Sequence, residues 1–302
     1  MFQTEAVPSS RTGVHGAVTG AGVWRSAGQG TVEGMRVQVG CEFLYRAEVA
    51  THAVIQVEPR LDGGVLALDE RWSNVPQIGM SRYMDGYGNL CRRATISPGI
   101  SSLHYDALIE VPGTADPERL DAAEVPPAEL PNDVLVYTLP SRFCPSQDLA
   151  DDAWNLFGST PPGWRRVQTI CDWVHGEVKF GYLDTSLLAT AIDVFSSRSG
   201  VCRDFAHLAV TFCRALNIPA RYVFGYLPDI GVPAGPDPMD FCAWIEVFLD
   251  RTWWTFDPRN NQRRVGRALV ARGRDALDVA MISSYGGPDL TSMTVWADEV
   301  PS

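Results

Sequence analysis

The sequence predicts an α+β protein, and three features of the chain indicate that class. From Met35 to residue 110, short β-prone runs alternate with turn sequences. Ser199 to Leu216, SGVCRDFAHLAVTFCRAL, has its apolar residues at the spacing of one face of an α-helix. After the helix-breaking Pro219, ARYVFGYL and CAWIEVFL again have strand character. We therefore expect a β-sandwich-like amino-terminal domain followed by a domain of mixed helices and strands.

The composition is that of a globular protein, and it argues against two classes of partner. The 302 residues, 45% of them hydrophobic, can bury a sizeable core. The formal net charge of −11 disfavours nucleic acid and anionic membranes, because both select basic patches. No apolar run approaches the roughly 20 residues that span a bilayer, and residues 1–33 lack the features of a signal peptide. A cytoplasmic protein is expected.

The amino-terminal part of the chain is predicted to have three sections. Residues 1–34 are rich in Gly, Ser, Thr and Ala without periodicity, so we expect a disordered or loosely attached extension. Residues 35–110 should form the β-rich domain. Residues 111–132 hold five prolines and an acidic excess, which favours an extended linker packed over the surface.

Residues 133–302 are expected to form the second domain. Ser146 is predicted to cap a helix that runs to about Phe157, and Pro161-Pro162-Gly163 to open a longer one. A short helical piece then leads into the central helix. The remaining predicted elements are the strands ARYVFGYL, CAWIEVFL and WWTFD, a short helix near Asp275 to Ala280, and a final edge strand, LTSMTVWA.

The central helix carries a cysteine in its first turn. Gly200 can supply a tight turn, after which Cys202 falls on the apolar stripe. Free backbone N–H groups and the helix dipole favour an anion there, and a thiolate is the attacking form of cysteine. Cys202 is therefore a candidate nucleophile, although packing is the competing interpretation. The cysteines predicted to be reduced and structural are Cys41, Cys91, Cys144, Cys171 and Cys213.

The predicted hairpin brings further groups together. Closing it about Asp250-Arg251 would put Trp244 opposite Asp257, with Cys242 two residues along on the same face, because side chains alternate along a strand. The preceding loop, LPDIGVPAGPDPMD, could be one wall of a substrate cleft or a rigid surface connector.

Four segments in order, GVCRDFAHLA, IPARYVFGYLPD, MDFCAWIEVF and WWTFDPRN, resemble the transglutaminase-like superfamily of thiol enzymes. The resemblance implies a papain-like core, with helices packed on an antiparallel sheet, and a Cys-His-Asp triad. It assigns the nucleophile to Cys202 and the carboxylate to Asp257, whereas the histidine position of the D-x-H-A-W motif is occupied by Cys242. Trp244 and Asp240 of that motif are expected to contact substrate.

The cysteine at position 242 changes the expected chemistry. An imidazolium would stabilise the thiolate and protonate the leaving amine, help that is worth about 10²- to 10⁴-fold. Without it, an ordinary cysteine is only a few per cent ionised at neutral pH. Beside Asp257, Cys242 is expected to remain a protonated thiol, since like charges repel.

No histidine is expected to take over the role of base. His207 lies five residues beyond Cys202, about 140° around the helix, and so points away. His175 is predicted to hydrogen-bond near a helix end. His52 and His104 have no paired ligand spacing and are expected to be structural or on the surface.

Four functions remain open. The first is a thiol-dependent enzyme without cofactor that hydrolyses, transfers or forms amides on a peptide, amide or carrier-bound acyl substrate, with Cys202 forming a thioester and Cys242 giving a proton or accepting the acyl group. In the second, Cys202, Cys242 and Asp257 bind zinc or another thiophilic metal. The third is a regulatory Cys202–Cys242 disulfide. The fourth is a catalytically degenerate binding or scaffold protein.

Overall fold

The computed structural model describes residues 34–181, 186–235 and 237–301, which contain fourteen strands, four α-helices and two short 3-10 helices. The predicted loose extension lies outside these residues except for Gly34. The strands are β1 (Gly34–Ala47), β2 (Thr51–Ile55), β3 (Leu66–Val75), β4 (Ser81–Met84), β5 (Leu90–Ile96), β6 (Gly99–Pro112), β7 (Lys179–Phe180), β8 (Ser199–Gly200), β9 (Ala220–Tyr226), β10 (Cys242–Leu249), β11 (Thr252–Phe256), β12 (Ala268–Gly273), β13 (Ile282–Tyr285) and β14 (Asp289–Glu299). The helices are α1 (Ala150–Phe157), α2 (Trp164–Glu177), α3 (Ala191–Ser197) and α4 (Cys202–Ala215).

Two four-stranded antiparallel sheets form the β-rich part, in the orders β14-β1-β6-β3 and β13-β2-β5-β4. In β1, Val37, Val39, Cys41 and Phe43 alternate with more exposed residues and are fully buried. This alternation is what the sequence predicts, and it confirms the β-rich amino-terminal region. The short strand β4 was missed, because all four of its residues are exposed and show no apolar alternation.

The two sheets are completed by the carboxyl end of the chain. β14 pairs with β1, for example Cys41 with Val295, and β13 pairs with β2, for example Ile55 with Ile282. The structure therefore differs from the predicted division, which placed all of residues 133–302 in one domain. Pairing between strands about 230 to 260 positions apart leaves no local pattern in the sequence, although β14 is an edge strand as predicted.

The third sheet, β11-β10-β9-β12, carries the helices on one face. α4 packs on β9 and β10, and α1, α2 and α3 surround it. Edge-to-face aromatic contacts join these helices through Phe157, Trp173 and Phe212. The observed architecture is the predicted α+β arrangement of helices on an antiparallel sheet.

Two predicted helix details are wrong. α1 begins at Ala150 and has no side-chain cap, so Ser146 does not start it. The helix expected near residues 275–280 is a turn. In this turn, the Asp275 carboxylate accepts hydrogen bonds from the backbone N–H groups of Phe143 and Leu277.

The segment between β6 and α1 is a strap that lies against the third sheet and its helices, and it contains two short 3-10 helices, Pro127–Glu129 and Leu135–Thr138. Ala122, Val125 and Leu130 are buried, and Glu124 accepts from the backbone N–H of Gly163 at the start of α2. The Tyr226 hydroxyl donates to the Val57 carbonyl across 2.9 Å and ties β9 to the β-rich part.

Within the described ranges, no helix has the length and apolar character needed to cross a bilayer.

Candidate active site

The start of α4 positions Cys202. Asp204, fully buried, accepts from the Val201 N–H at 3.0 Å and pairs with the Arg203 guanidinium at 2.8 Å. Gly200 lies in the short strand β8 rather than in the predicted tight turn. A Cβ there would stand 2.6 Å from the Asp204 Cβ, so glycine lets the strand approach the helix start. These contacts hold the first turn of α4 in place beneath Cys202.

Cys242 opens β10 and lies beside Cys202 on the floor of one cleft. Both are partly exposed free thiols, whereas the other five cysteines are buried free thiols, in agreement with the sequence prediction. Cys202 Sγ lies 3.9 Å from the Phe241 carbonyl oxygen, and Cys242 Sγ lies 3.7 Å from the Ala243 carbonyl oxygen. The cysteine at the histidine position therefore faces the candidate nucleophile.

The two thiols differ in acidity. Hydrogen bonding from the Cys242 thiol lowers the pKa of Cys202, and the Ala243 N–H acts in the same direction, while burial and the Asp240 charge oppose them. Donating that bond raises the pKa of Cys242 well above its usual value, and burial and the charges of Cys202 and Asp257 add to the rise. Cys202 is therefore the more acidic thiol of the pair, and Cys242 is the thiol that keeps its proton more firmly, as the sequence predicts for a cysteine beside Asp257.

The β10–β11 hairpin has the predicted geometry. Asp250 and Arg251 have φ values of 48° and 59°, as a two-residue hairpin turn requires. Ile245 pairs with Phe256, so the next positions along, Trp244 and Asp257, stand opposite each other. This register puts Asp257 on the face of the hairpin that carries Trp244 and Cys242.

The Asp257 carboxylate accepts its hydrogen bonds from groups other than a cysteine. Oδ1 accepts from the backbone N–H groups of Arg259 (3.2 Å) and Asn260 (2.8 Å). Oδ2 accepts from Asn260 Nδ2 and from Arg267 Nη2, each at 2.8 Å. Asp257, the predicted third member of the triad, is thus near Cys242, and its negative charge raises the pKa of that thiol. Its hydrogen bonds hold the loop after β11.

Arg267 is the buried residue that sequence reasoning missed. Its guanidinium, 7% exposed, bonds Asp257 and also Asp116 of the strap, with Nε 2.7 Å from the Asp116 carboxylate. It lies 4.9 Å above the Trp244 ring. Trp244 is only 1% exposed, so the prediction that it contacts substrate is wrong; its ring supports Arg267 instead.

Substituting Arg267 by methionine is expected to destabilise the fold by about 3–5 kcal/mol, since it leaves two inward-facing carboxylates without their cation. The measurement is the free energy of unfolding from a urea titration. Arg251→Met is the matched control, because its pair with Glu129 is solvent-exposed on both sides and should contribute about 0–1 kcal/mol. Equal losses in the two variants would contradict the structural role of Arg267.

The cleft above the thiols has a volume of about 520 Å³. Residues 227–235 and 237–241 form one wall, which is one of the two interpretations that the sequence left open for this loop. Asp240 lines the cleft and accepts from the Phe241 N–H at 2.7 Å, and burial raises the pKa of its carboxyl. The opposite lining includes Arg259 and the end of β14, Ala297 to Glu299, which the sequence did not connect with this site.

The histidines have the roles expected of them. His207 is fully buried; its Nε2 accepts from the Ala276 N–H at 3.1 Å, and burial lowers its pKa to about 3. His175 Nδ1 lies 2.8 Å from the Arg259 carbonyl oxygen and so helps to hold the loop after β11. His52 and His104 are in the β-rich part, and no histidine lines the described surface of the cleft.

The alternative metal site is not assembled. Among residues 34–181, 186–235 and 237–301, no three His, Cys, Asp or Glu side chains stand together in a way that could hold a metal ion. For the set Cys202, Cys242 and Asp257 the reason is visible, because the carboxylate is turned towards Arg267 and Asn260.

The lowered pKa of Cys202 has a measurable consequence. Its alkylation by iodoacetamide is expected to reach half of the maximal rate at a pH below the 9.0 of an unperturbed thiol, because the thiolate is the reactive form and persists to lower pH. Cys242→Ala removes the hydrogen-bond donor and should move that midpoint upwards. Cys91→Ala, in β5 of the β-rich part, is the control that should leave it unchanged. An unchanged midpoint in Cys242→Ala would show that the two sulfurs do not interact.

Comparison with known proteins finds one matching family model and several similar sequences. The family model of the transglutaminase-like superfamily matches residues 155–258. An uncharacterized protein of Mycobacterium leprae is 23% identical over 286 residues, which cover 86% of this chain and 96% of that protein. An uncharacterized protein of Mycobacterium bovis is 30% identical over 187 residues, and the chain spans about half of its length, 54%.

The solved structures include one with a close overall likeness. A candidate cysteine protease from Cytophaga hutchinsonii superposes with a TM-score of 0.81 and 29% sequence identity, over 89% of this chain and 92% of that one. The likeness therefore extends through the β-rich part as well as the helices and the third sheet, and it supports a thiol-dependent enzyme.

Proposed function

We propose that this chain, whose residues 155–258 match the transglutaminase-like superfamily, is an acyl-transfer enzyme with a two-thiol centre, Cys202 and Cys242. The observation that carries the proposal is the placement of both thiols on the floor of one cleft, with the hydrogen bond between them making Cys202 the more acidic. Cys202 also stands at the start of a helix, which favours the thiolate further.

The proposed cycle moves one proton through Cys242. The Cys202 thiolate attacks the acyl carbonyl, and the bond to the leaving group breaks as Cys242 gives that group its proton, leaving a thioester on Cys202 and a thiolate at Cys242. Water or an amine then attacks the thioester and loses its proton to Cys242. The product departs, and the Cys202 thiolate and the Cys242 thiol are restored. Backbone N–H groups of the first turn of α4 are the proposed oxyanion donors.

The raised pKa of Cys242 sets the class of donor. A thiol of such low acidity protonates a leaving amine far less well than an imidazolium does. Thioesters and aryl esters release a more stable leaving group than amides do, so the weak acid Cys242 is enough to give that group its proton as it departs. We therefore favour a carrier-bound acyl thioester over a plain peptide or amide as the substrate, and we keep Asp240 as a proposed substrate contact. The two thiols must stay reduced, which accords with the expected cytoplasmic location.

The test is acyl-enzyme formation followed by intact mass spectrometry. The reduced protein is mixed in turn with p-nitrophenyl acetate, an acetyl thioester and acetanilide, and the modified residue is located by peptide mapping. Acetylation of Cys202 by the first two donors but not by the anilide is expected. Esters are intrinsically more reactive than anilides, so the same three donors are also tested on Cys242→His. In that variant, the difference in acetylation rate between the esters and the anilide should be smaller. Absence of any adduct on Cys202 would leave a binding or scaffold protein as the better description.

A further inference from the structure

We propose that Cys202 and Cys242 also form a redox site, in which a hydroperoxide oxidises Cys202 and Cys242 then closes a disulfide. The formation of the disulfide does not depend on the proposed function; only its consequence, the arrest of acyl transfer, rests on it.

Access separates this pair from the rest of the thiols. Cys202 and Cys242 line the cleft and are partly exposed, so a small oxidant can reach them. Each of the remaining cysteines is at most 1% exposed, namely Cys41, Cys91, Cys144, Cys171 and Cys213. Oxidation follows thiolate character and exposure together, and Cys202 is the residue that has both.

The resolving thiol is already in place. Cys202 and Cys242 line the same cleft, and each thiol shifts the pKa of the other, so the two side chains are neighbours before any oxidation. Cys202 Sγ also lies against the Phe241 carbonyl, directly before Cys242 in the chain, which keeps the helix start close to the first residue of β10. A family member with histidine at position 242 would have no thiol there to trap the oxidised nucleophile.

The chemistry balances with hydrogen peroxide as the oxidant. The Cys202 thiolate attacks one peroxide oxygen, the O–O bond breaks, and hydroxide leaves, which takes up a proton to become water; Cys202 is now a sulfenic acid. Cys242 sulfur attacks the Cys202 sulfur and the S–O bond breaks. The hydroxide released takes the Cys242 proton and leaves as a second water. Two electrons have passed from the two thiols to the peroxide, and a dithiol such as dithiothreitol returns them.

The disulfide removes the nucleophile and the proton carrier of the proposed cycle in one event. Acyl transfer should therefore stop on oxidation and return on reduction. The cleft would act as a peroxide-sensitive switch on the same residues that carry catalysis.

The test is treatment of the reduced full chain with a small excess of hydrogen peroxide, read by intact mass and by thiol titration in denaturant. The wild type should lose about 2 Da, its seven titratable thiols should fall to five, and mapping should join the peptides of Cys202 and Cys242. Dithiothreitol should restore the mass. The control Cys91→Ser should also lose about 2 Da, the mass change of one disulfide, because Cys91 takes no part in the reaction.

Two variants separate the steps. Cys242→Ser should stop at the sulfenic acid, about 16 Da heavier and captured by dimedone on Cys202. Cys202→Ser should show neither change at the same peroxide concentration. A disulfide between other cysteines, or a wild type that keeps all seven thiols while Cys202 still alkylates, would overturn the proposal. A protein that is acylated but never oxidised refutes only the redox site, and one that is oxidised but never acylated refutes only the proposed function.

Discussion

Substituting Cys202 by serine is expected to lower acyl transfer from a thioester or aryl ester by at least about 10³-fold. A serine hydroxyl does not ionise near neutral pH. The groups that favour the thiolate, the Cys242 thiol, the Ala243 N–H and the start of α4, cannot supply the base that an alcohol would need. No histidine lines the described surface of the cleft to take that role. The measurement is kcat/KM with p-nitrophenyl acetate at neutral pH.

Cys91→Ser is the control for this loss, because it makes the same atom exchange in β5 of the β-rich part. Urea titration of both variants separates lost chemistry from lost structure. If Cys202→Ser turns over as fast as the wild type while remaining folded, the thiol mechanism is wrong and the activity resides elsewhere in the chain.

Substituting Cys242 by histidine is expected to raise amide hydrolysis by about 10²-fold, the lower end of what general acid–base catalysis supplies. An imidazolium both stabilises the Cys202 thiolate and protonates the leaving amine. The gain should stay at the lower end because the Asp257 carboxylate, which would orient the new ring, is held by Arg267 and Asn260. The measurement is kcat/KM with an anilide, followed across pH.

The pH profile identifies the cause of that gain. In Cys242→His, the rate should acquire a limb near the ordinary histidine pKa of about 6.5, which neither the wild type nor Cys242→Ser has. Cys242→Ser should show no gain, since a hydroxyl donates a hydrogen bond but does not titrate in this range. A serine variant as active as the histidine variant would mean that polarity at position 242, and not proton transfer, limits the reaction.

Local sequence was enough to place the central features of the candidate site. The apolar stripe of α4, the cysteine in its first turn and the two-residue turn of the β10–β11 hairpin are all short-range patterns. The same kind of pattern placed His207 away from the cleft, and in the structure it accepts from the Ala276 N–H instead of lining the cleft. Periodicity and turn chemistry act over a few residues, so they can be read without the fold.

The partners of the site residues depend on contacts between distant segments. Asp257 had an expected role, but its cation is Arg267, and that cation is shared with Asp116, 151 positions earlier in the chain. Trp244 lies on the predicted face of the hairpin, yet it is buried beneath Arg267.

One edge of the cleft also could not be predicted from local sequence. It is built by Ala297 to Glu299, which reach the site because β14 pairs with β1. A residue's type and spacing determine which strand or helix face it occupies. Which charge it pairs with, and whether solvent reaches it, are decided only when strands and loops far apart in the chain pack together and compete for the same buried space.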